Sequence, residues 1–466
     1  MKRATLSIAA LAAAWLLAGC APAIPPRTEA AQVALPTQWR SAPAQDRAVA
    51  VTQRVAAEWW RQAGDPVLDE LVATALAQNL DLHLAATRVL EARSQERAAR
   101  AALLPTLDGG FGASRGQSVS AFGKPSLATA EQPMLQVGYE VDLFGRIGQQ
   151  NEAARQGSLS AEHARDAAAM AVSASTVSGY LNLRALDQRL ALLQQALANR
   201  GQALRMAEQR LTAGYASQLE PAQARAEMAS IQQQIPVVQL AITRQENALA
   251  LLTGTPPRGI ARGAAFDALA LPPVAAGQPS ELLRRRPDVA QAESQLEASD
   301  AQLAVSRAQW LPQLRLSATL GRAFSTALPG APITVWSLGG SLLAPLFEGG
   351  RLEGQFGVAT ARRDQAALVY KKTVLGAFKE VEDALAGIAR LDEQQQALRA
   401  QQAALTDTVA HASRRYREGY SPYLEQIDAE RALLGVQLSL IQARADHLQA
   451  EVALHQALGG GWAPAS

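Results

Sequence analysis

The chain has 466 residues, of which 18% are charged and 5% are aromatic, and its 44 Lys and Arg nearly balance its 42 Asp and Glu. The formal net charge of +2 argues against a nucleic-acid partner, because such proteins usually carry a clear basic excess. The low aromatic content, with abundant Ala, Leu, Gln and Arg, is typical of long helices in close contact and not of one large globular core.

The N-terminus is typical of an exported lipoprotein. Lys2 and Arg3 precede an apolar run over 6–18 that is too short to span a bilayer, so it indicates a secretory signal. The run ends in the letters LAGC, which resemble the bacterial lipoprotein cleavage box. We therefore predict a signal peptide over 1–19 and a covalent lipid on Cys20; an ordinary signal peptide with an incidental cysteine is the alternative.

Cys20 is the only cysteine, so the exported chain would have no intramolecular disulfide. Several acyl chains on one residue form a stable membrane anchor, at roughly 0.8 kcal/mol per buried methylene. Ala21 differs from the Asp that commonly retains lipoproteins at the inner membrane, so the resemblance to lipoprotein signals implies the outer membrane. A lipidated extension is predicted over 20–57, and no further cofactor and no metal are predicted.

The sequence after this extension contains two copies of one plan. NLDLHLAATRVLEA aligns with RPDVAQAESQLEA, DLFGR aligns with PLFEGGR, and RLTAGYASQLE aligns with RYREGYSPYLE. The Pro- and Gly-rich segment between the copies is typical of a linker. We predict a first repeat, a connector, a second repeat and a C-terminal tail over 58–254, 255–279, 280–462 and 463–466.

Proline placement shows where helices can be long. No Pro lies between Pro133 and Pro221 or between Pro345 and Pro422, and a Pro in a helix interior costs about 3 kcal/mol. Within the first interval Leu recurs at every seventh position, which is typical of a coiled-coil seam. The members of this series are Leu183, Leu190, Leu197, Leu204 and Leu211. A helix over 150–211 would extend on the order of 90 Å.

Each long helix is predicted to end at a glycine. Gly214 in RLTAGYASQLE and Gly419 in RYREGYSPYLE can adopt the left-handed conformation that ends many helices. A second helix would begin after each turn, so each copy forms a helical hairpin. The two tips are predicted over about 210–220 and 415–425.

Between the helices the hydrophobic period changes from helical to alternating. In MLQVGYEVDLF the apolar letters L, V, Y, V and L alternate with Q, G, E and D. QLRLSATLGR alternates likewise, with Arg315 on the polar face, while the polar face of the first of these segments carries Glu140 and Asp142. Strands are predicted over about 106–116, 133–144, 313–322 and 333–344, with polar loops over about 115–132 and 322–332.

A soluble sheet packed on a core could produce this alternation. Strands of about 9–11 residues with one apolar and one polar face also match an outer-membrane barrel, whose lumen would accept the charged residues. Four strands cannot close such a barrel, and open edges are not tolerated in lipid. If the strands span a membrane, several chains must therefore share one barrel.

Four segments together resemble the outer-membrane efflux proteins, the TolC-like family. They are ELLRRRPDVAQAESQLEASDAQLAVSRAQWLPQLRLSA, PLFEGGR, YREGYSPYLEQIDAER and LGGGW, in the duplicated order described above. The lipoprotein box is similar to that of the lipoprotein branch, which serves tripartite pumps of the resistance–nodulation–division type. The resemblance covers roughly 58–462.

The resemblance implies a mainly α fold with a small transmembrane β part. Three protomers would form one 12-stranded barrel that continues into a long α-helical barrel, with the connector and the chain ends forming an equatorial belt. The implied partners are two further copies of the chain, a periplasmic membrane-fusion adaptor, an inner-membrane pump and outer-membrane lipid. The implied function is a passive exit duct for drugs or other small molecules.

The resemblance also implies a gate at the tips. Leu424, Asp428 and Arg431 match a hydrophobic ring, an acidic ring and its basic neighbour, and Glu425 matches a position that is often acidic. Simple stabilisation of a helix N-terminus is the alternative for the acids.

Tyr416 and Glu220, with Leu219 beside it, match an inter-hairpin latch, although the basic partner in the best-known relative corresponds to Ser421 here. The turn residues predicted to contact the adaptor are Gly214, Tyr215, Gly419 and Tyr420.

The sequence also allows three other functions to be compared with a duct. An enzyme is disfavoured because the five His are scattered without zinc-ligand spacing and no phosphate loop is present. A lipid-anchored coiled-coil scaffold without a pore would not need the alternating strands. The duct of a type I protein-secretion system would share the fold, although the lipoprotein box favours a pump.

Overall fold

The computed structural model describes most of the chain after the predicted signal. The described residues are 21–34, 36–41, 58–119, 123, 125–274, 276–326, 330–460 and 462. The signal peptide, Cys20, residues 35 and 42–57 of the extension, and the tail over 463–466 lie outside them.

The described part is mainly helical, with four strands between the helices. The first repeat contains α1 (Pro66–Gln78), α2 (Leu80–Ala101), β1 (Thr106–Val119), β2 (Pro125–Val141), α3 (Arg146–Thr212), α4 (Leu219–Gln232) and α5 (Gln234–Leu252). The second contains α6 (Pro279–Leu282), α7 (Pro287–Ala308), β3 (Gln313–Ser325), β4 (Ile333–Leu343), α8 (Arg351–Arg417) and α9 (Tyr423–Ala457). None of the helices in the described ranges combines the length and the apolar character that a membrane crossing needs.

These elements form two compact units, of which each is described by itself. The first unit comprises the described residues of Met1–Val33, Thr87–Glu162 and Gln291–Lys372, and it holds all four strands. The second comprises the described residues of Ala34–Ala86, His163–Ala290 and Thr373–Ser466, and it holds both helical tips.

The longest helices are α3 and α8, each of 67 residues. Both lie inside the proline-free intervals, so every interior residue can donate its backbone N–H to the helix. Leu183 and Leu193 on α3 are fully buried, as a hydrophobic seam requires. The predicted helix over 150–211 is therefore confirmed, and it begins four residues earlier than expected.

Asp142 has a different place from the one predicted. The alternation put it on the polar face of a strand over 133–144, but β2 ends at Val141. The Asp142 carboxylate instead accepts hydrogen bonds from the backbone N–H groups of Ile147 at 3.1 Å and Gly148 at 2.7 Å. It therefore caps α3, where these N–H groups have no partner within the helix.

The strands form one antiparallel sheet in the order β1-β2-β3-β4. The central β2–β3 pair joins the two repeats, with Glu140 opposite Arg315 and Val137 opposite Ala318. Among the described strands, β1 and β4 each have one side without a hydrogen-bonded neighbour. The sheet is thus open at both edges within one chain.

The strands extend beyond their predicted ends into the segments expected to be loops. Arg115 pairs with Thr129, and Val119 pairs with Pro125, so the predicted loop over 115–132 is wrong. β3 likewise continues to Ser325, inside the loop predicted over 322–332. Small polar residues in these segments lack a clear alternation, yet a backbone ladder can form without apolar side chains.

The two faces of the sheet differ in polarity. One row across the four strands consists of Leu107, Val137, Ala318 and Leu338. The next row, on the opposite face, consists of Asp108, Gln136, Thr319 and Ser337. Apolar residues of the first face are exposed, with 79% exposure for Leu338 and 74% for Trp336. An apolar band open to its surroundings needs a partner other than water.

The connector packs against the core of the second unit and does not behave as a free linker. Ile260, Phe266 and Leu269 are buried in the same cluster as Trp59 and Leu181. Composition predicted a linker because Pro and Gly are frequent, but the few apolar residues between them are sufficient to dock the segment.

A buried carboxylate also fixes the connector. Asp65 caps α1 through the N–H of Val67 at 2.9 Å, and it accepts bonds from the Tyr180 hydroxyl at 2.7 Å and from the N–H of Ala264 at 3.0 Å. Burial and the bond to Asp65 raise the pKa of Tyr180 to about 12. The first repeat and the connector are therefore joined at one side chain.

Candidate functional site

Both helical tips are built by the same turn. α3 and α8 are followed by Gly214 and Gly419 with φ of 80° and 82°, a conformation that only glycine adopts without strain. The N–H of Tyr215 donates to the carbonyl of Arg210 at 2.8 Å, and the N–H of Tyr420 donates to the carbonyl of Arg415 at 2.9 Å. These are Schellman turns, which satisfy the last carbonyls of each helix.

The tyrosines after these glycines point away from the protein. Tyr215 is 80% exposed and Tyr420 is 75% exposed. Large aromatic side chains on a rigid turn provide contact area at a low cost in conformational entropy. The two turns can therefore contact a partner, and the adaptor role given to Gly214, Tyr215, Gly419 and Tyr420 stays a prediction.

Behind the turns the two hairpins share a small core. Tyr416 of α8 and Tyr423 of α9 are buried with their ring centroids 5.2 Å apart, and Ile427 of α9 completes their cluster. Ala207 of α3 and Ala224 of α4 lie in the same cluster and allow close approach. The tips of the two repeats are therefore packed together within one chain.

A hydrogen bond crosses from one hairpin to the other above this core. The Tyr416 hydroxyl donates to the Glu220 carboxylate at 3.0 Å. Burial and this bond raise the pKa of Tyr416 to about 12, so the hydroxyl keeps its proton at neutral pH.

The two residues assigned to a latch by resemblance are thus in contact, and a basic group contacts them from a position other than 421. The Ser421 hydroxyl is buried without a hydrogen-bond partner among the described residues. The guanidinium of Arg210, on α3, lies 4.7 Å from the centroid of the Tyr416 ring. Arg210 therefore supplies the positive charge through a cation–π contact.

Arg431 makes a different main contact from the one expected. It was predicted as the basic neighbour of Asp428, and the two side chains are 3.3 Å apart on α9. Its closer partner is Glu227 of α4, whose carboxylate is buried. The bond to Glu227 is the main cause that raises the pKa of Arg431. Arg431 therefore ties α9 to the other hairpin.

Glu227 was not singled out from the sequence, although a signal was present. It follows Glu220 by seven residues, so both carboxylates lie on one face of α4. Glu220 accepts the bond from Tyr416 of α8, and Glu227 accepts the bond from Arg431 of α9. α4 is thus tied to both helices of the second hairpin.

A further buried ion pair lies behind the gate residues. Arg200 of α3 is 5% exposed and contacts Glu430 of α9. The pair lines a groove of about 410 Å³, together with Tyr416 and Tyr423. A buried charge is stable only when it is paired, so Arg200 and Glu430 fix the distance between α3 and α9.

α4 is also a separate helix, because the chain breaks at Gln233 between α4 and α5. Pro236 has no N–H to donate to the carbonyl of Gln232, and its ring clashes with that carbonyl in a straight helix. The corresponding helix of the second repeat, α9, runs for 35 residues without a break. The tip of the first repeat is therefore a 14-residue helix that carries both acceptors.

The remaining gate candidates lie on exposed faces. Leu424 is 47% exposed, and the side chains of Asp428 and Arg431 are 61% and 54% exposed. Spacings of four and seven residues put these three on one stripe of α9. Glu425 lies 3.9 Å from Arg415, and Leu219 at the start of α4 is 63% exposed. In the described part of the chain these side chains remain largely exposed, so the role of the stripe as a ring stays a prediction.

The long helices, the open four-stranded sheet and the paired tips define the class of outer-membrane channels with a helical extension. The family model described as "Outer membrane efflux protein" matches residues 71–255 and 278–460, one segment for each repeat. The chain therefore belongs to the outer membrane efflux protein family. It is an outer-membrane channel component of efflux, and the family consists of channel proteins and not of enzymes.

The relatives agree with this assignment. The pyoverdine export outer membrane protein OpmQ of Pseudomonas aeruginosa is 35% identical over 445 residues, which cover 92% of each chain. The antibiotic efflux pump outer membrane protein ArpC of Pseudomonas putida is 32% identical over 99% of this chain and 96% of the relative. The chain is thus similar to efflux proteins along almost its whole length.

The solved structures show the same fold. The outer-membrane channel OprN is 28% identical with a TM-score of 0.85, and the match covers 92% of this chain and 98% of that one. The open state of the MtrE outer membrane channel of Neisseria gonorrhoeae is 27% identical with a TM-score of 0.80, over 95% and 98% of the two chains. The predicted fold class with its two repeats is therefore confirmed.

Proposed function

We propose that three copies of this chain form one passive exit duct through the outer membrane. The open sheet carries this proposal: each chain has four strands, and both edges of the described sheet lack a neighbour. A single-chain membrane barrel needs about eight strands, and lipid does not tolerate open edges. Three chains would supply twelve strands and pair β4 of one copy with β1 of the next.

The polarity of the sheet supports the same arrangement. The exposed apolar row with Leu107 and Leu338 would face lipid, and the row with Asp108 and Thr319 would line a water-filled lumen. The helices would continue this lumen into the periplasm. The duct itself would be passive, and the driving energy would come from an inner-membrane pump.

The tips would be the periplasmic entrance. Threefold symmetry would bring three copies of the exposed stripe around Asp428 to the axis, where like carboxylates repel or recruit cations. A membrane-fusion adaptor would bind the turns at Tyr215 and Tyr420, break the ties onto α4 and open the entrance. The cargo is small molecules chosen by the pump, since a wide aqueous duct selects little.

A covalent lipid on Cys20 would anchor each copy beside the barrel. The sequence supports it through the LAGC box and the single cysteine. Cys20→Ala should abolish labelling of the protein by radioactive palmitate. Label that persists in this variant would show that the box was misread.

Conductance across planar bilayers tests the duct. The purified protein should form channels, and Asp428→Ala combined with Arg431→Ala should raise the single-channel conductance. Glu418→Ala, at a charged tip residue outside the stripe, is the control and should leave it unchanged. A protein without conductance would overturn the duct, whereas equal conductance in the double variant would remove these residues from the gate.

A further inference from the structure

The face of the sheet that carries Leu107 and Leu338, which we name the apolar face, does not stay apolar along the whole length of its strands. Near the helices it presents rows such as Tyr139 opposite Leu316. Towards the other end of the sheet, the described strands place three charged residues on this face, since each lies an even number of positions from an apolar member of its own strand. They are Arg115 on β1, Glu131 on β2 and Arg322 on β3. The duct proposed above does not explain this charged end.

The position of Arg322 matches one border of a lipid-facing band. On β2 the apolar rows run from Val141 to Pro133, a step of eight positions that covers about 27 Å along the strand. At the tilt of about 40° usual in membrane barrels this gives about 21 Å of height, close to the apolar band of about 25 Å that such barrels present to lipid. Arg322 lies two positions beyond Leu320, whose partner Trp336 is 74% exposed. An exposed tryptophan next to a charged residue is typical of the border between lipid chains and headgroups.

This border faces the exterior in the proposed channel. The helices adjoin the opposite end of the strands, since α2 ends at Ala101 before β1 and α3 begins at Arg146 after β2. The helices extend into the periplasm, so the charged end lies among the headgroups of the outer leaflet. The assignment of this end to the outer leaflet rests on the proposed function.

Both arginines present guanidinium groups that have no partner within the described part of the chain. Arg115 and Arg322 are exposed, and neither forms an ion pair or a hydrogen bond there. Arg315, on the opposite face of β3, instead lies 3.5 Å from Glu140. At the border of a lipid band the long stem of an arginine packs on apolar surface while the charged guanidinium reaches the headgroups. Arg115 and Arg322 are therefore available to an anion from outside the chain.

The spacing of the two arginines suits separate anionic groups. β1 and β3 flank β2, so the two residues are about 10 Å apart across the strands. Arg115 lies opposite Thr129, whereas Arg322 follows Gly321, which lies opposite Met134, so the offset along the strands is about 13 Å. A sugar headgroup with two phosphates spans more of this distance than a headgroup with a single phosphate.

Glu131 lies between the two arginines. It pairs with Ala113 of β1 and Phe324 of β3, so it is a diagonal neighbour of both arginines at about 7–8 Å. It forms no ion pair with either of them in the described structure. Two arginines and one glutamate leave an excess of positive charge at this end of the face, and the Glu131 carboxylate repels an anion that the arginines hold.

We propose that Arg115 and Arg322 bind the phosphate groups of a phosphorylated glycolipid in the outer leaflet. Each guanidinium donates two parallel hydrogen bonds to a phosphate, the geometry for which its planar fork is suited. Each copy around the barrel repeats the site, so that a shell of bound lipid surrounds the channel. The site attaches the duct to its membrane and takes no part in passage through it.

Native mass spectrometry of the full-length protein in mild detergent, with a chelator of divalent cations present, tests the site. The probe is diphosphoryl lipid A. The variant that combines Arg115→Gln with Arg322→Gln should bind this probe roughly twentyfold more weakly, since one basic residue at an anionic membrane surface contributes about fivefold. Arg315→Gln, on the opposite face of the same strand, is the matched control and should bind like the parent. Equal binding by the parent and the double variant would overturn the site.

Two comparison lipids test the chemistry of the ligand. The parent should bind monophosphoryl lipid A roughly fivefold more weakly than the diphosphoryl form, because one arginine then lacks its phosphate. Equal binding of the two forms would contradict the assignment of two phosphates. Phosphatidylcholine, which has no net charge, should bind the parent and the double variant equally. A loss as large as that for lipid A would show a general defect of the apolar face and would also overturn the site.

Glu131→Gln should change binding in the opposite direction. It removes a like charge beside the phosphates, so diphosphoryl lipid A should bind up to about fivefold more tightly. A merely structural role of the three side chains would not produce opposite signs. Weaker binding in Glu131→Gln would contradict the proposed contact.

Conductance across planar bilayers separates this site from the duct. The double arginine variant should conduct like the parent, because both substitutions lie on the outer face of the barrel. A parent that conducts but binds lipid A no better than the double variant would refute the lipid site and leave the duct intact. A parent that does not conduct would overturn the duct, and with it the assignment of the charged end to the outer leaflet.

Discussion

The tie between Glu227 and Arg431 gives the sharpest prediction about the tips. Glu227→Gln keeps the size of the buried side chain and removes its charge. A charged hydrogen bond contributes about 1.5–3 kcal/mol when it is buried. The Arg431 side chain is 54% exposed and regains water when the tie is lost, so about 1–2 kcal/mol of this should remain as a loss for each chain.

This loss acts on the balance between closed and open tips. A free-energy change of 1.4 kcal/mol is a factor of ten in an equilibrium constant, so the open-to-closed ratio should rise by roughly fivefold to thirtyfold per chain. Single-channel recording in planar bilayers measures this ratio as the fraction of time spent in the open state. The Glu227→Gln channel should therefore be open for a larger fraction of the time, while the conductance of the open channel should be unchanged.

A second ion pair between α3 and α4 provides the control. Glu208 contacts Arg225 at 2.7 Å, but both side chains are exposed, so Glu208→Gln should leave the open fraction almost unchanged. Equal open fractions in Glu227→Gln and Glu208→Gln would refute the reasoning that the buried tie holds the tip closed.

Three further predictions concern stability. Burial raises the pKa of Glu451 to about 7, so the stability that its neutral form contributes is fully present below the ordinary pKa of 4.5 and is lost as the pH rises through 7. Glu451→Gln should therefore weaken the pH dependence of the urea midpoint between pH 5 and 8, and parallel pH profiles of the two proteins would contradict this. Gly214→Ala places a Cβ at φ of 80° and should lower the free energy of unfolding by about 1 kcal/mol, whereas Gly201→Ala in the interior of α3 should raise it; equal thermal midpoints would remove the strain argument. Asp65→Ala removes a helix cap and leaves the Tyr180 hydroxyl without its acceptor, which should lower the free energy of unfolding in urea by about 3 kcal/mol. Asp65→Asn is the control and should lose less, and equal losses in the two variants would show that the connector does not depend on this carboxylate.

The helical part of the fold could be predicted because its signals are local. The proline-free intervals predicted the length of α3 and permitted a long α8, and the glycines at 214 and 419 predicted the ends of both helices. These signals depend on backbone chemistry at single residues. The strands were placed by alternation, but their outer ends were missed. There the backbone pairing continues through residues that show no clear apolar alternation, as at Arg115 and Thr129.

The contacts that organise the site could be predicted only in part. Resemblance brought Tyr416 and Glu220 together, but it paired Arg431 with Asp428 on its own helix. Glu227 lies 204 positions from Arg431, and only the packing of the hairpins shows which carboxylate is buried beside the guanidinium. The contacts of Arg363 with the carbonyls of Pro25 and Pro26 were missed as well, because carbonyl acceptors have no sequence signature.

The central claim is that one chain cannot close its barrel and must share it with two others. The mass of the mature protein in mild detergent, measured by native mass spectrometry, tests this claim most directly. The account predicts a complex of three chains that resists dilution. A lone monomer that still conducts ions across a bilayer would contradict it.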